Sequence, residues 1–370
     1  MNRRLFIGAL GAGSCALGMG RAKPRKPKYV FLMIGDGMGV EQRRIAERYA
    51  RMSRPTRSGG LLMNQLPVSG LTTTVEVSGK VTDSAAAGTA LACGAKTVNG
   101  AIGLEPDLKT PLRSVAFAAQ DAGMKVGIVS SVPIDHATPA AFYATVPKRS
   151  MYYEIDEFLP KSGFDYFAGE PMLGRKKAKE NTAPEKLAEA AGYRLVGDRA
   201  GFDALKAGDS KILVEHDLGY AIEGKQEISL ADYTRKGIEL LDGKDGFFMM
   251  VEGGKIDWCG HANDLAANIH ETLAFDDAVS VALDFCERHA DESLLIVTAD
   301  HETGGLRLQE QSPRLSQVID AQRHPSGFYV NELTRWKKAG VEPEAASERL
   351  KASFGFSDLE ADREQRIADA

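Results

Sequence analysis

The feature that most constrains the fold is a set of five short apolar runs, each of which leads into a polar or acidic segment. These runs favour β-strands and comprise Tyr29 to Ile34, Ser69 to Val77, Lys125 to Val132, Phe247 to Val251 and Leu294 to Thr298. Segments with apolar residues at helical spacing lie between them, at 112–122 and 262–289. Apolar strands that alternate with helices are typical of a parallel sheet covered on both faces. The pattern predicts an α/β fold, a three-layer α/β/α sandwich with a central, mostly parallel sheet and helices on both faces.

Composition narrows the class of protein. The chain has 370 residues with a net charge of -5, which argues against nucleic-acid binding as a function because such proteins carry a basic face. Hydrophobic residues make up 43% of the chain, an ordinary share for a folded globular protein. One of the four cysteines, Cys15, lies in the N-terminal segment, and the three that remain give no disulfide framework.

The N-terminal segment, residues 1–22, is typical of an export signal. Arg3 and Arg4 precede an uncharged apolar run that ends at Gly20, and this pair is similar to a twin-arginine signal. The run is short for a bilayer span, so we expect no stable membrane span after cleavage near Ala22. A lipoprotein signal at Cys15 and a buried N-terminal helix are weaker alternatives. The expected location is periplasmic or extracellular.

The stretch VTDSAAAGTALACG, residues 81–94, predicts a helix that begins at Ser84. Small residues and good helix formers follow this serine, and the free N–H groups of a helix start attract anions. Ser84 could be an ordinary N-cap, which serine does well. It could also be a nucleophile placed to attack a negatively charged group, and the other strand ends favour this second interpretation.

Carboxylates, histidines and hydroxyls are predicted to meet at the C-terminal edge of the sheet, where ligands bind in open α/β folds. The candidate metal ligands are Asp36, His136, Thr138, Glu252, Asp257, His261, Asp300 and His301. Mixed Asp and His groups suit zinc, whereas an all-oxygen set such as Asp36, Thr138 and Glu252 suits magnesium. Asp257 and His261 are four residues apart and share a face if the turn is helical. Arg149, shortly after Thr138, could bind two oxygens of a phosphate group.

These segments together resemble the alkaline phosphatase family. The resemblance runs in order through GDGMG, VTDSAAAGTALACGAKT, HATPAAFYATVPKR, VEGGKIDWCGHAND and TADHETGG, from about Tyr29 to Leu306. It implies that residues 23–308 form the catalytic α/β domain of a metal-dependent phosphomonoesterase, with two Zn²⁺ ions and one Mg²⁺ ion. Phosphate monoesters would be its substrates, and inorganic phosphate its product and inhibitor. The family is commonly dimeric, so a homodimer is possible.

The resemblance also implies a role for each site residue. Ser84 would become phosphoserine, and Arg149 would bind the phosphate. In the metal centre, Asp36 would bridge magnesium and the second zinc, and Asp300 and His301 would complete the ligands of that zinc. Asp257 and His261 would bind the first zinc. Thr138 and Glu252 would bind magnesium, with His136 close by.

The C-terminal part departs from the family pattern. Residues 309–370 are predicted to be a polar, partly helical insertion, with an exposed helix at 357–370, that ends before the family's C-terminal segment. That segment supplies a late histidine as third ligand of the first zinc, and His324, in RHPSGF, does not match it. The alternative is therefore a catalytically weak metal- and phosphate-binding protein, or an incomplete enzyme. A sulfatase is disfavoured, because Ala85 follows Ser84 where sulfatases need proline and arginine after the modified residue.

Overall fold

A computed structural model describes residues 26–54, 60–178, 182–307 and 315–354, and within them the fold is built on one seven-stranded sheet. Its strands are β1 (Tyr29–Gly35), β2 (Lys125–Pro133), β3 (Tyr166–Glu170), β4 (Arg194–Val196), β5 (Ile212–Glu215), β6 (Phe247–Gly253) and β7 (Ser293–Ala299). The order across the sheet is β4-β5-β3-β2-β6-β1-β7, and every neighbouring pair is parallel. The predicted parallel sheet is confirmed.

Helices connect the strands. They are α1 (Val40–Ser53), α2 (Ser84–Cys93), α3 (Val115–Asp121), α4 (Ala137–Ala140), α5 (Tyr152–Asp156), α6 (Leu159–Ser162), α7 (Pro184–Ala190), α8 (Arg199–Asp203), α9 (Leu230–Leu241), α10 (Lys255–His261), α11 (Leu265–Arg288), α12 (Leu315–Ala321), α13 (Ser326–Lys338) and α14 (Pro343–Phe354). Short 3₁₀ helices span Leu62–Gln65, Leu173–Lys177 and Ala221–Glu223. Both segments with helical spacing, 112–122 and 262–289, contain helices. Among the described residues, no helix is both long and apolar enough to cross a bilayer.

The central strands feed two separate hydrophobic cores. Along β1, Phe31 and Met33 join one core, whereas Leu32 and Ile34 join the other, because successive side chains of a strand point to opposite faces. Helices α1 and α11 contribute to the first core, and helices α2 and α3 contribute to the second. The sheet is therefore buried between two helical layers, and the predicted three-layer sandwich is confirmed.

The register of the central strands brings their C-terminal ends level. Gly35, the last residue of β1, lies opposite Gly253 of β6 and Ala299 of β7. Residues that follow these three strands therefore emerge side by side at one edge of the sheet. This alignment positions the candidate site.

The predicted strand at Ser69 to Val77 is wrong. This segment pairs with no strand in the described structure, and Leu71 is fully exposed. Its few backbone contacts are local or to a loop, such as that from the Val77 N–H to the Thr97 carbonyl. Threonine and valine favour strands only where a pleated, half-buried surface is available to them. In the described structure no strand lies beside this segment, and Val75 and Val77 are exposed as well, so its β-branched side chains have no such surface.

Strands β3, β4 and β5 extend the sheet through a stretch in which the sequence predicted no strand. They contain five, three and four residues, and runs this short carry little periodic signal. Residues 1–22, interpreted as a signal, and the predicted helix at 357–370 lie outside the described residues. In the C-terminal part, residues 315–354 form helices α12, α13 and α14.

Candidate active site

Two groups of potential metal ligands form at the C-terminal edge of the sheet. In each group the ligating atoms lie within 4.8 Å of one another. The first group contains Asp36, His136 and Glu252, and we call it the oxygen-rich group. The second contains Asp36, Asp300 and His301, and we call it the histidine group. Asp36 follows β1 directly and belongs to both groups, so the two metal positions would share one carboxylate.

Ser84 is the first residue of α2 and lies beside the histidine group. Its hydroxyl oxygen is 3.2 Å from His301 Nε2 and 3.4 Å from Asp36 Oδ1, and the residue is only 3% exposed. The helix is capped by the preceding residue, because the Asp83 carboxylate accepts a hydrogen bond from the Ala86 N–H. The N-cap interpretation of Ser84 is therefore wrong. Its hydroxyl makes no capping bond and faces the ligand cluster instead.

The turn after β1 orients the histidine group. Gly37 has a φ of 65°, a conformation that favours glycine, and its N–H donates to Asp300 Oδ1 at 3.0 Å. The His301 N–H donates to the same oxygen at 2.8 Å. Asp300 Oδ2 is buried without a hydrogen-bond partner in the described structure, and it lies 3.3 Å from His301 Nε2. One carboxylate oxygen thus fixes the loop while the other stays available to a cation.

The oxygen-rich group is organised in the same way. Thr138 donates to Asp36 Oδ2 at 3.4 Å, and Ser130 donates to Glu252 Oε2. The other Glu252 oxygen, Oε1, and His136 Nδ1 are buried, with no hydrogen-bond partner among the described residues. Unpaired buried polar atoms are costly, so the free Glu252 oxygen points to a ligand that it would bind.

Electrostatics lead to the same conclusion. Burial, reinforced by the carboxylates of Asp300, Asp257 and Glu252, raises the pKa of Asp36 well above its ordinary value. Burial also raises the pKa of Asp300, and it raises the pKa of Glu252 to about 7. So many buried carboxylates repel one another unless cations compensate them. The donor set, carboxylate and hydroxyl oxygens with imidazole nitrogen, fits Mg²⁺ and Zn²⁺.

The Asp257–His261 pair lies on α10. Its two residues share a face, as predicted, with His261 Nε2 at 3.5 Å from Asp257 Oδ2. The His261 side chain is 74% exposed, whereas the Asp257 side chain is 5% exposed. No third histidine, cysteine or carboxylate among the described residues completes a group around them. His324 does not do so, because its Nδ1 pairs with Glu223 Oε1 at 2.8 Å and its ring stacks on Phe328.

Arg149 lies between the start of α2 and His136. Its Nη1 is 3.4 Å from Asp83 Oδ2, and its Nη2 is 3.2 Å from His136 Nε2. A guanidinium group only donates, so His136 Nε2 accepts. Burial, followed by the charge of Arg149, lowers the pKa of His136 to about 3 and keeps the ring neutral. Arg149 therefore presents its positive charge close to the helix start at Ser84.

Two residues that donate hydrogen bonds to candidate metal ligands were not identified from the sequence. Ser130 lies inside β2, directly opposite Glu252 of β6, and only the strand register reveals it. Thr303 donates to Asp257 Oδ1 at 2.5 Å. Its position two residues after His301 was visible in the sequence, but a threonine in a glycine-containing loop carries no distinctive chemical signal.

Comparison with known proteins gives a consistent result. The model of the family described as alkaline phosphatase matches residues 27–174 and 157–358. Alkaline phosphatase 3 of Bacillus subtilis is 36% identical over 289 residues, which cover 75% of this chain. The chain spans 62% of the length of that relative.

Solved structures of alkaline phosphatases are also similar to this chain. The alkaline phosphatase of Thermus thermophilus is 30% identical with a TM-score of 0.80, over 94% of this chain and 75% of that one. A histidine-to-glutamate variant of the alkaline phosphatase from the Antarctic bacterium TAB5, described with magnesium bound in its M3 site, is 32% identical with a TM-score of 0.67. This match covers 76% of this chain and 80% of that one. The chain belongs to the alkaline phosphatase family.

Proposed function

We propose that this protein hydrolyses phosphate monoesters to an alcohol and inorganic phosphate through a phosphoserine on Ser84. The observation that carries the proposal is the position of the Ser84 hydroxyl. It lies at the start of a helix, free of any capping bond, within 3.2 Å of His301 Nε2 and 3.4 Å of Asp36 Oδ1. Membership of the alkaline phosphatase family supports the same reaction.

The metal ligands would be divided between three positions. Asp36, Asp300 and His301 would hold a zinc ion, and Asp36, Thr138 and Glu252, with His136 close by, would hold magnesium. Asp257 and His261 would contribute to a further zinc position. When bound, such ions would lower the pKa of the serine hydroxyl and offset the negative charge of the phosphate group.

The chain's own residues would carry out the transfer. Ser84 Oγ loses its hydrogen and forms a bond to phosphorus while the bond from phosphorus to the ester oxygen breaks, and the ester oxygen takes up one proton in exchange and leaves as the alcohol. Water then attacks phosphorus, the bond to Ser84 Oγ breaks, and inorganic phosphate is released. Arg149, whose Nη1 lies 3.4 Å from the Asp83 carboxylate at the start of α2, and the first N–H groups of that helix would orient the phosphate oxygens. Inorganic phosphate would bind there as product and inhibitor.

A second candidate, a metal- and phosphate-binding protein with weak catalysis, is favoured by one observation. Within the described residues, the Asp257–His261 pair lacks a third ligand, whereas catalytic zinc usually has three protein ligands. We also propose that the protein is exported and is periplasmic or extracellular, because residues 1–22 are typical of an export signal. Assembly as a homodimer remains a prediction.

Trapping of the covalent intermediate tests the proposed function. The purified chain is incubated with radiolabelled inorganic phosphate at acid pH, and the labelled peptide is identified by mass spectrometry. We expect label on Ser84, no label in Ser84→Ala, and normal label in Ser210→Ala, which changes a serine outside the site. Label on another residue would refute Ser84 as the nucleophile. Monoester hydrolysis that is slow in the unmodified chain, with Ser84 labelled, would favour the second candidate.

A further inference from the structure

Thr303 lies between the histidine group and the Asp257–His261 pair. The residue is 6% exposed, and its hydroxyl is 2.5 Å from Asp257 Oδ1 and 3.2 Å from His301 Nδ1. An ionised carboxylate only accepts hydrogen bonds, so the threonine hydroxyl donates its hydrogen to Asp257. Its oxygen is then free to accept a hydrogen bond from His301.

The orientation of His301 is consistent with this direction. His301 Nδ1 is also 3.1 Å from the Glu302 carbonyl oxygen, which can only accept. The proton of the neutral imidazole therefore lies on Nδ1, shared between Glu302 and Thr303. Nε2 keeps its lone pair and faces Ser84 at 3.2 Å and Asp300 Oδ2 at 3.3 Å. This is the form of the ring that can bind a metal ion.

The surroundings of Thr303 leave it little freedom. A Cβ atom on Gly37 would lie 2.7 Å from the threonine hydroxyl, and one on Gly260 would lie 3.0 Å from its methyl group. The Gln42 side chain donates to the Thr303 carbonyl at 2.7 Å. Two glycines thus admit the side chain, while a buried amide holds its backbone.

We propose that Thr303 is a positioning residue that couples the two halves of the metal centre. A continuous hydrogen-bonded chain runs from His301 Nδ1–H to Thr303 Oγ1–H to Asp257 Oδ1. It holds His301 with Nε2 toward Ser84, and it fixes one oxygen of Asp257 so that the other faces His261. The inference deepens the proposed function and relies on its assignment of metal ligands.

Replacement of the hydroxyl by a methyl group tests the role of Thr303. Thr303→Val keeps the volume and removes the donor, Thr303→Ser keeps the donor, and Thr234→Val is the matched control. Thr234 is fully buried, and its hydroxyl donates to the Leu230 carbonyl inside α9. Zinc affinity is measured by competition with a coloured chelator.

We expect Thr303→Val to bind zinc about 10–100-fold more weakly, the range typical of partners that orient metal ligands. Thr303→Ser should bind nearly as well as the unmodified chain, and Thr234→Val should equal it. Unchanged affinity in Thr303→Val would overturn the proposal. So would a Thr303→Ser variant as weak as Thr303→Val, because packing of the methyl group would then explain the effect.

A metal-free measurement separates this inference from the proposed function. The free energy of unfolding is measured without metal for Thr303→Val, Asp257→Ala and the double variant. We expect the two effects to be non-additive, because each change removes the same hydrogen bond. Additive effects would refute the hydrogen-bonded chain through Thr303, whether or not the protein is shown to be a phosphatase. If Ser84 carries no label in the trapping experiment but the two effects are still non-additive, the proposed function is refuted and the hydrogen-bonded chain through Thr303 stands.

Discussion

The histidine group and the Asp257–His261 pair contrast within one candidate site. Asp36, Asp300 and His301 are at least 92% buried, and two backbone N–H groups hold one Asp300 oxygen in place. In the pair, Asp257 is buried but the His261 side chain is mostly exposed and makes only one polar contact, to Asp257, in the described structure. The first region is organised before any ion arrives, whereas the second would have to become ordered on binding. Metal affinity should therefore differ between two regions that carry similar ligand types.

Loss of the shared carboxylate should have the largest effect. Asp36→Asn removes a ligand from both the histidine group and the oxygen-rich group, so we expect turnover to fall by on the order of 10³-fold or more. The same change should stabilise the metal-free chain, because it removes one of several buried carboxylates that repel one another. Initial rates and thermal unfolding with and without metal would show both effects. Asp203→Asn, at an exposed carboxylate, is the control; a metal-free Asp36→Asn chain that is less stable would contradict this electrostatic account.

Removal of Arg149 should have an intermediate effect on phosphate binding and on the rate of hydrolysis. Each charge-assisted hydrogen bond contributes about 1.5–3 kcal/mol, so Arg149→Ala should weaken inhibition by phosphate by roughly 10–100-fold and lower the rate less than Ser84→Ala does. Zinc content should be unchanged, because the polar contacts of Arg149 are to Asp83 and His136 and not to the histidine group. Inhibition constants for inorganic phosphate measure this directly, with Arg194→Ala, an exposed arginine far along the sheet, as control. Unchanged phosphate inhibition would show that Arg149 does not bind the phosphate.

The smallest effect that we predict is on the pH dependence of stability, and it concerns Asp156, a buried carboxyl group outside the site. Asp156 is 1% exposed, and burial followed by the charge of Asp135 raises its pKa to about 10. The folded state thus binds a proton that the unfolded chain releases near pH 4, so this group costs stability progressively as the pH rises toward about 10. Asp156→Asn removes the titration, and its advantage in the free energy of unfolding over the unmodified chain should grow steadily from near zero at pH 4 as the pH rises to 8.

Unfolding by denaturant at several pH values would reveal this trend. The exposed Asp107, whose pKa is lowered to about 2 by bonds from Thr110 and Lys109, provides the opposite sign in Asp107→Asn. Its contribution is present above pH 4 and is lost as the pH falls toward 2. An advantage of Asp156→Asn that shrinks with rising pH would contradict the assignment of a protonated Asp156.

The parts that the sequence predicted share a physical basis. Asp36 and Asp300 directly follow strands β1 and β7, and Glu252 lies near the end of β6. Parallel strands of matching register end together, so the convergence of these residues could be predicted. The strand predicted at 69–77 was wrong because β-branched residues indicate a strand only where a neighbour exists. Strands β3 to β5 were missed because three to five residues carry too little pattern.

Other contacts depend on three-dimensional packing. Ser130 meets Glu252 only through the register of β2 and β6, and Thr303 reaches Asp257 only because Gly37 and Gly260 leave room. The pairing of His324 with Glu223, which leaves Asp257 and His261 without it, depends on how α13 packs. None of these contacts changes the hydrophobic periodicity from which sequence predictions start.

Metal analysis of the dialysed chain tests the central contrast most directly. The purified 370-residue chain is loaded with zinc and magnesium, dialysed against metal-free buffer, and its metal content is determined by elemental analysis. We predict one tightly held zinc and one magnesium per chain, loss of the second zinc, and slow monoester hydrolysis that added zinc accelerates. Two zinc ions retained after dialysis, with full turnover, would contradict the contrast and would mean that Asp257 and His261 are completed by a further ligand.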